Sequence, residues 1–193
     1  MNPSSNESAV SWVDKYEFTK DWFSNRESDW WESFGYLSAG TVHAMEIGSL
    51  EGRSAMWMLE HLLVQQESTL TCIDLFSNPV VEARFDTNLQ ASGKAHKVTK
   101  LSGPSWTHLR NLRPGQFDLI YIDGSHHGRD VLEDGVLSFR LVKPGGFLIF
   151  DDYPWRNEDH SVYPKDAIDA FLYLYRDDVR VLQKKWQVFL QKM

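Results

Sequence analysis

The stretch FDLIYIDGSHH, residues 117–127, read with VKPGGFLIFDDY, residues 142–153, decides the fold. Two apolar runs, 119–122 and 147–150, each end in acid: Asp123 after the first, Asp151 and Asp152 after the second. Continuous apolar runs of this length are the pattern of strands buried on both faces of a parallel sheet. In open α/β sheets, ligands bind just outside the carboxyl ends of such strands. Three carboxylates and two histidines, His126 and His127, are therefore expected on one rim.

Outward from this stretch, strand and helix patterns alternate. Strands are expected at 42–47, 70–74, 97–102, 117–123 and 147–151, and helices at 54–64, 79–90, 105–112, 129–141 and 164–175. Within 54–64, Met58, Leu59, Leu62 and Leu63 have helical spacing, and within 129–141 Leu132, Val136 and Phe139 share a face. Pro79 suits a first helical turn, Ser105 suits an N-cap, and Pro144-Gly145-Gly146 suits a turn. Two further strands, 179–183 and 187–191, stand only a few residues apart, which predicts an antiparallel pair at the end of the sheet. The alternation predicts a doubly wound α/β sheet closed by a hairpin.

A length of 193 residues fits one domain with a short extension. We divide the chain into a polar tail and aromatic-rich helical extension, 1–36, and a single domain, 37–193. Residues 12–36 read as helical in pieces, interrupted near 24–28. The net charge is −7 and no Lys/Arg run occurs, which argues against nucleic acid as a partner. The single cysteine, Cys72, excludes an intrachain disulfide framework and sits in an apolar run suited to buried packing. The first ten residues, MNPSSNESAV, lack the basic start and apolar core of a signal peptide. No apolar run approaches the roughly 20 residues that span a bilayer. The expectation is a soluble, cytoplasmic protein without a membrane partner. Trp22, Trp30, Trp31, Phe18 and Phe23 crowd the extension. These rings either pack on the core, or form a lid over a substrate pocket, or make an interface between copies.

The first expected strand runs into Glu46-Ile47-Gly48-Ser49-Leu50-Glu51-Gly52-Arg53-Ser54. Glycine between a strand and a helix lets a ligand approach backbone N–H groups. The G-x-x-x-G spacing of Gly48 and Gly52 is not the dinucleotide fingerprint. Asp74 ends the second strand, where an acid can accept bonds from both hydroxyls of a ribose.

The order Glu46-x-Gly48…Gly52, Asp74, Gly103-Pro104-Ser105, Asp123 resembles a class I S-adenosylmethionine-dependent methyltransferase. The stretches 16–24, 44–63, 97–105, 121–153 and 164–172 resemble the methyltransferases marked by a D-G-S-H motif, here Asp123-Gly124-Ser125-His126. The likeness implies a Rossmann-like, seven-stranded mixed sheet with its last strand antiparallel. It implies that the Glu46–Gly52 loop, with Ser49 and Ser54, holds the methionine part of the cofactor. Asp74 would then hold the ribose. Gly103, Ser105 and their neighbours would border adenine, with Trp106 either stacked on it or packed inward.

Methyl transfer from a sulfonium needs an acceptor made nucleophilic, by a base, a metal or both. Asp123, Asp151 and Asp152 are hard oxygen donors suited to Mg²⁺, Mn²⁺ or Ca²⁺. The arrangement is similar to metal-dependent small-molecule O-methyltransferases of the catechol type. That likeness puts the three aspartates at metal positions, and Asp123 beside the cofactor as well. It puts His126 where those enzymes carry a lysine base; a neutral imidazole can accept a proton near pH 7. His127 or Asp123 could serve instead. Phe76, Tyr153 and Trp155 either wall the acceptor pocket or belong to the core. His43, His61, His96, His108 and His160 read as surface or packing residues. The expected activity is methylation of a small-molecule hydroxyl. The competing readings are a metal-dependent hydrolase or lyase, a hydroxylase on the same scaffold, and a non-catalytic nucleoside-binding module. Glu46 argues against a phosphate ligand, because an acid repels an anion.

Overall fold

A computed structural model describes residues 11–157 and 162–193. The polar first ten residues and His160 lie outside them. Seven strands form one sheet: β1 (His43–Ile47), β2 (Thr69–Asp74), β3 (Val98–Ser102), β4 (Phe117–Ile122), β5 (Val142–Phe150), β6 (Val179–Lys184) and β7 (Val188–Lys192). Their order is β3-β2-β1-β4-β5-β7-β6. The pairs β1–β2, β2–β3, β1–β4 and β4–β5 are parallel, and β7 runs antiparallel between β5 and β6. The fold is the expected Rossmann-like mixed sheet closed by a hairpin. The strand order reverses between β1 and β4, so the loops leaving them diverge and open a cleft at their carboxyl ends.

Among the described residues the α-helices are α1 (Glu27–Phe34), α2 (Arg53–His61), α3 (Pro79–Ala91), α4 (Ser105–Leu109), α5 (Gly128–Leu141) and α6 (Pro164–Leu174). Successive strand residues face opposite ways, which divides the core in two. Ala44, Leu70, Cys72, Leu119, Tyr121 and Ile149 pack on the side of α2 and α3. Met45, Ile47, Ile73, Ile120, Ile122 and Phe150 pack on the side of α5 and α6. Cys72 is a buried core residue, as its apolar run suggests. No helix among the described residues is long and apolar enough to cross a membrane.

Several expectations need correction. The buried face of α5 is Val131, Asp134, Gly135, Ser138 and Leu141, while Leu132, Val136 and Phe139 are only partly buried. The helix turns this way because Gly135 lies flat against the sheet: a Cβ there would meet the Phe150 ring at 2.7 Å. Pro104, not Ser105, is the N-cap of α4, because the Ser105 hydroxyl is drawn to Asp134 Oδ1 at 2.6 Å. The Pro144–Gly146 turn lies inside β5, where register jumps from Phe117↔Val142 to Leu119↔Phe147.

The aromatic extension joins the main core. Trp30 and Phe34 are fully buried, with Tyr16 and Phe23 nearly so. Trp30 meets Trp57 and Tyr121 edge-to-face at 5.9 and 4.9 Å, a favoured arrangement of aromatic quadrupoles. The break in helical structure falls at 16–23 rather than near 24–28. Backbone groups there bond side chains of the main domain: Glu17 N donates to Asn88 Oδ1 at 2.7 Å and Thr19 N to Glu51 Oε2 at 2.6 Å. Since Glu51 belongs to the β1–α2 loop, the extension is pinned to the cofactor-loop candidate.

Candidate active site

The β1–α2 loop turns on two left-handed glycines, Gly48 (φ 90°) and Gly52 (φ 85°). A Cβ on Gly48 would lie 1.9 Å from the Asp123 carbonyl oxygen, so only glycine lets the exits of β1 and β4 touch. Asp74 ties this loop to the next one: Oδ2 accepts from Leu50 N at 2.9 Å and Oδ1 from Phe76 N at 2.8 Å. Leu50, Phe76 and Asp152 are the described non-glycine residues with positive φ (47°, 45° and 56°). All three follow the carboxyl ends of strands, where such backbone strain persists only if the surroundings enforce it.

Two cavities open on this rim. The first, about 370 Å³, is lined by Gly48, Asp74, Gly103, Ser105, Trp106 and Asp134 among others. The second, about 680 Å³, is lined on one side by Ser49, Ser54, Asp123, His126, Asp151 and Asp152. Its other side comes from the extension, through Phe18, Lys20, Trp22 and Arg26. Gly48, Asp74 and Gly124 line both cavities, so the two meet there. The rings of the extension divide: Trp30, Phe34 and Tyr16 are core, and Trp22 and Phe18 line the second cavity.

Two buried acids sit at these walls. Glu46 is fully buried; it accepts a very short bond from the Ser54 hydroxyl, and burial pushes its pKa up to about 7. Its Oε2 and the Ser49 hydroxyl are buried with no hydrogen-bond partner of good geometry. A half-satisfied buried carboxyl is costly, and a cation in the adjoining cavity would offset that cost. Asp134, in the wall of the first cavity, is raised to about 6 by burial, against the pull of Ser105.

The acidic rim is organised by a tyrosine. The Tyr121 hydroxyl lies 3.0 Å from Asp123 Oδ2 and makes a very short contact with Asp151 Oδ2. Gln187 Nε2 also donates to Asp151 Oδ2, at 2.6 Å, while its Oε1 accepts from Trp30 Nε1 at 2.8 Å. Asp152 Oδ2 lies 2.6 Å from His126 Nε2, and Asp152 Oδ1 accepts from Trp186 Nε1 at 3.2 Å. Burial, then the neighbouring carboxylates, raise Asp123 well above the usual carboxylate range. Asp151 is raised chiefly by burial. Among the described residues, no three His, Cys, Asp or Glu side chains close into a group that could hold a metal ion.

The structure thus brings Asp123, His126, Asp151 and Asp152 together on one cavity and Asp74, Gly103, Ser105 and Trp106 on the other. His127 is exposed at the start of α5 and lines neither. Gly52 and Glu46 shape the loop from behind rather than lining a cavity. Trp106 does not pack inward: it is 46% exposed on the first cavity. Trp155 lines the second cavity and stacks on the His126 ring at 4.3 Å. Phe76 is core, packed on Phe85, and Tyr153 bonds Asp169 away from the cavities. Tyr121, Gln187, Trp186 and Asp134 were missed by sequence reasoning. Only Asp134 carried a local signal, an acid spaced one turn from Val131 and Ser138 on the helix face that proves buried.

Residues 45–153 match the methyltransferase domain family, more than half of the chain. The chain belongs to this family, and its fold is that of class I S-adenosylmethionine-dependent methyltransferases. The catechol O-methyltransferase of Mycobacterium tuberculosis is 29% identical over 119 residues, 60% of this chain and 51% of that protein. The chain spans about half the length of the curated relatives it matches. In fold it is similar to the O-methyltransferase TomG of Streptomyces achromogenes in complex with SAM. That likeness has a TM-score of 0.69 and 19% identity, and covers 88% of this chain and 79% of the other. It is also similar to the MycE methyltransferase of the mycinamycin pathway, in complex with Mg, SAH and mycinamycin VI. There the TM-score is 0.64 with 14% identity, and 90% of this chain and 50% of the other are covered.

Proposed function

We propose that this protein transfers the methyl group of S-adenosylmethionine to a hydroxyl of a small molecule, assisted by a divalent cation. The observation that carries the reading is the meeting of the two cavities at Gly48, Asp74 and Gly124. A nucleoside in the first cavity would present its sulfonium to an acceptor in the second. Asp74 would accept from the ribose, with Ser105 and Trp106 beside the base. Glu46 supports a cationic ligand over an anionic one, since a buried carboxyl attended only by serine hydroxyls favours positive charge nearby.

The donor types of the rim suit a hard divalent cation, Mg²⁺ before Mn²⁺ or Ca²⁺, although as placed the three carboxylates do not close around one point. One Tyr121 hydroxyl serves the carboxylates of both Asp123 and Asp151, which leaves negative charge that a cation would balance. Asp123, Asp151 and Asp152 would hold it, and bound there it would supply a Lewis acid that lowers the pKa of an acceptor hydroxyl. The chain's own contribution is position and proton removal. His126 Nε2 lies 2.6 Å from Asp152 Oδ2, and in the tautomer that donates Nε2–H to this carboxylate the lone pair falls on Nδ1. That nitrogen is the proposed base. Trp155, stacked on the imidazole, holds its plane. In the transfer, the acceptor oxygen bonds the methyl carbon as the carbon–sulfur bond breaks. The hydroxyl proton goes to His126, and S-adenosylhomocysteine is released.

Thermal unfolding with S-adenosylmethionine, S-adenosylhomocysteine and NAD, each with and without Mg²⁺, tests the reading. A ligand at one hundred times its Kd adds about 2.7 kcal/mol to stability. Stabilisation by both S-adenosyl compounds and not by NAD is expected. No shift with either S-adenosyl compound would sink it.

A further inference from the structure

We infer that the acceptor is a hydroxylated aromatic acid, and that Arg26 holds its anionic group. This rests on the methyl-transfer reading and names the class of molecule methylated. Arg26 closes the short turn Ser24–Arg26 before α1 and lines the second cavity. Its Nε is buried without a hydrogen-bond partner. Its guanidinium has no carboxylate partner among the described residues and rests over the Trp186 ring at 5.3 Å. Arg53, which lines the same cavity, shares the unbonded Nε but has a carboxylate beside it: its guanidinium lies 3.0 Å from Asp21 and donates to Ser24 at 2.5 Å. Lys20 is a second cation on the cavity wall with no acidic partner among the described residues. Arg26, with the exposed Lys20 beside it, thus gives one wall of an otherwise acidic cavity a place for an anion. Guanidinium is the group best matched to carboxylate, through two parallel hydrogen bonds.

The position separates this anion from the cofactor and from the rim. Trp186 donates to Asp152 with its Nε1 while Arg26 covers its ring, so Arg26 stands about one indole away from the acidic rim. An anionic acceptor would be repelled by Asp123, Asp151 and Asp152 unless its charged end pointed away from them. Arg26 gives it a place to point. The hydroxyl would then reach His126 from the opposite end of a rigid spacer. Trp22, Trp155 and Trp186 all line this cavity, and flat apolar walls favour a flat aromatic spacer.

Calorimetric titration of the full chain, saturated with S-adenosylhomocysteine in Mg²⁺ buffer, tests the inference with two probes. These are 3,4-dihydroxybenzoate and catechol, which differ by one carboxylate. The carboxylate probe should bind about tenfold tighter, the gain expected of one charge-assisted pair. Arg26→Gln should erase that preference, Arg26→Lys should restore part of it, and neither should change S-adenosylhomocysteine affinity. Equal affinity for the two probes, or binding of neither, overturns the inference while leaving the methyl-transfer reading intact. An Arg26→Gln protein that loses S-adenosylhomocysteine affinity would assign Arg26 to the cofactor's own carboxylate, and also overturns it. Failure of the unaltered protein to bind S-adenosylhomocysteine would instead defeat the parent reading.

Discussion

The Nε2 atom of His126 lies 2.6 Å from Asp152 Oδ2. The pair joins the loop after β4 to the loop after β5, and it orients the imidazole proposed above as the base. His126→Ala should lower kcat by roughly 10²- to 10⁴-fold, the usual contribution of a positioned general base. S-adenosylhomocysteine affinity should not change, and His127→Ala, at an exposed position outside both cavities, should leave kcat near that of the unaltered protein. Steady-state kinetics beside calorimetry separate these effects.

Asp151 is held by Tyr121, Gln187 and, through Gln187, by Trp30 of the extension. Asp151→Ala should abolish the part of turnover that a chelator abolishes, with cofactor affinity intact. Trp30→Phe keeps an aromatic ring but loses part of the indole's buried volume and strands the Gln187 carbonyl. It should destabilise the protein by at least about 1–3 kcal/mol, the cost of a buried unsatisfied polar group, with the cavity adding to it, read by denaturant unfolding. Equal turnover with and without chelator in the unaltered protein would remove the metal from the mechanism.

Glu46 gives a pH signature. Burial raises its pKa to about 7 from the ordinary glutamate value of 4.5. Between those values the folded state binds more protons than the unfolded state, so this group's contribution to stability is full below about pH 4.5 and declines as pH rises to about 7. Glu46→Gln stays neutral and keeps a partner for Ser54. It should raise stability above pH 7 by up to roughly 3 kcal/mol, and leave it little changed at pH 4. A cation beside the carboxylate favours its charged form, so S-adenosylmethionine affinity should rise with pH up to about 7. The Gln variant should lose that dependence. Paired melts at the two pH values and titrations across the range check both halves.

Gly48→Ala places a methyl group against the Asp123 carbonyl. The clash is with backbone, so no side chain can yield. The variant should be destabilised by several kcal/mol, in line with other strained backbone positions, or fail to accumulate folded. Asp74→Ala is milder. It leaves Leu50 N and Phe76 N without their acceptor, which should cost about 1–3 kcal/mol and weaken cofactor binding.

The sheet was legible because each central strand is buried on both faces and so reads as an unbroken apolar run, as 119–122 and 147–150 do. The acids that end those runs were legible for the same reason. What escaped was whatever depends on register and on distant pairing. Tyr121 looked like one more strand residue, yet β4 places its hydroxyl between two carboxylates. Gln187 looked like the start of a hairpin strand; only the antiparallel pairing of β5 with β7, from Phe150↔Val188 onward, delivers it beside Asp151. The face of α5 was read one residue off because Leu132, Val136 and Phe139 are larger than Gly135 and Ser138. Close packing against Phe150 selected the small residues instead. Arg26 carried no local signal, since its value comes from a cavity wall built by two separate parts of the chain.

The most direct measurement is calorimetric titration of the purified full chain with S-adenosylhomocysteine, beside the same titration of Asp74→Ala. Saturable one-to-one binding that weakens sharply in the variant is predicted. Absence of binding, or equal binding by both proteins, would contradict a nucleoside site at the junction of the two cavities.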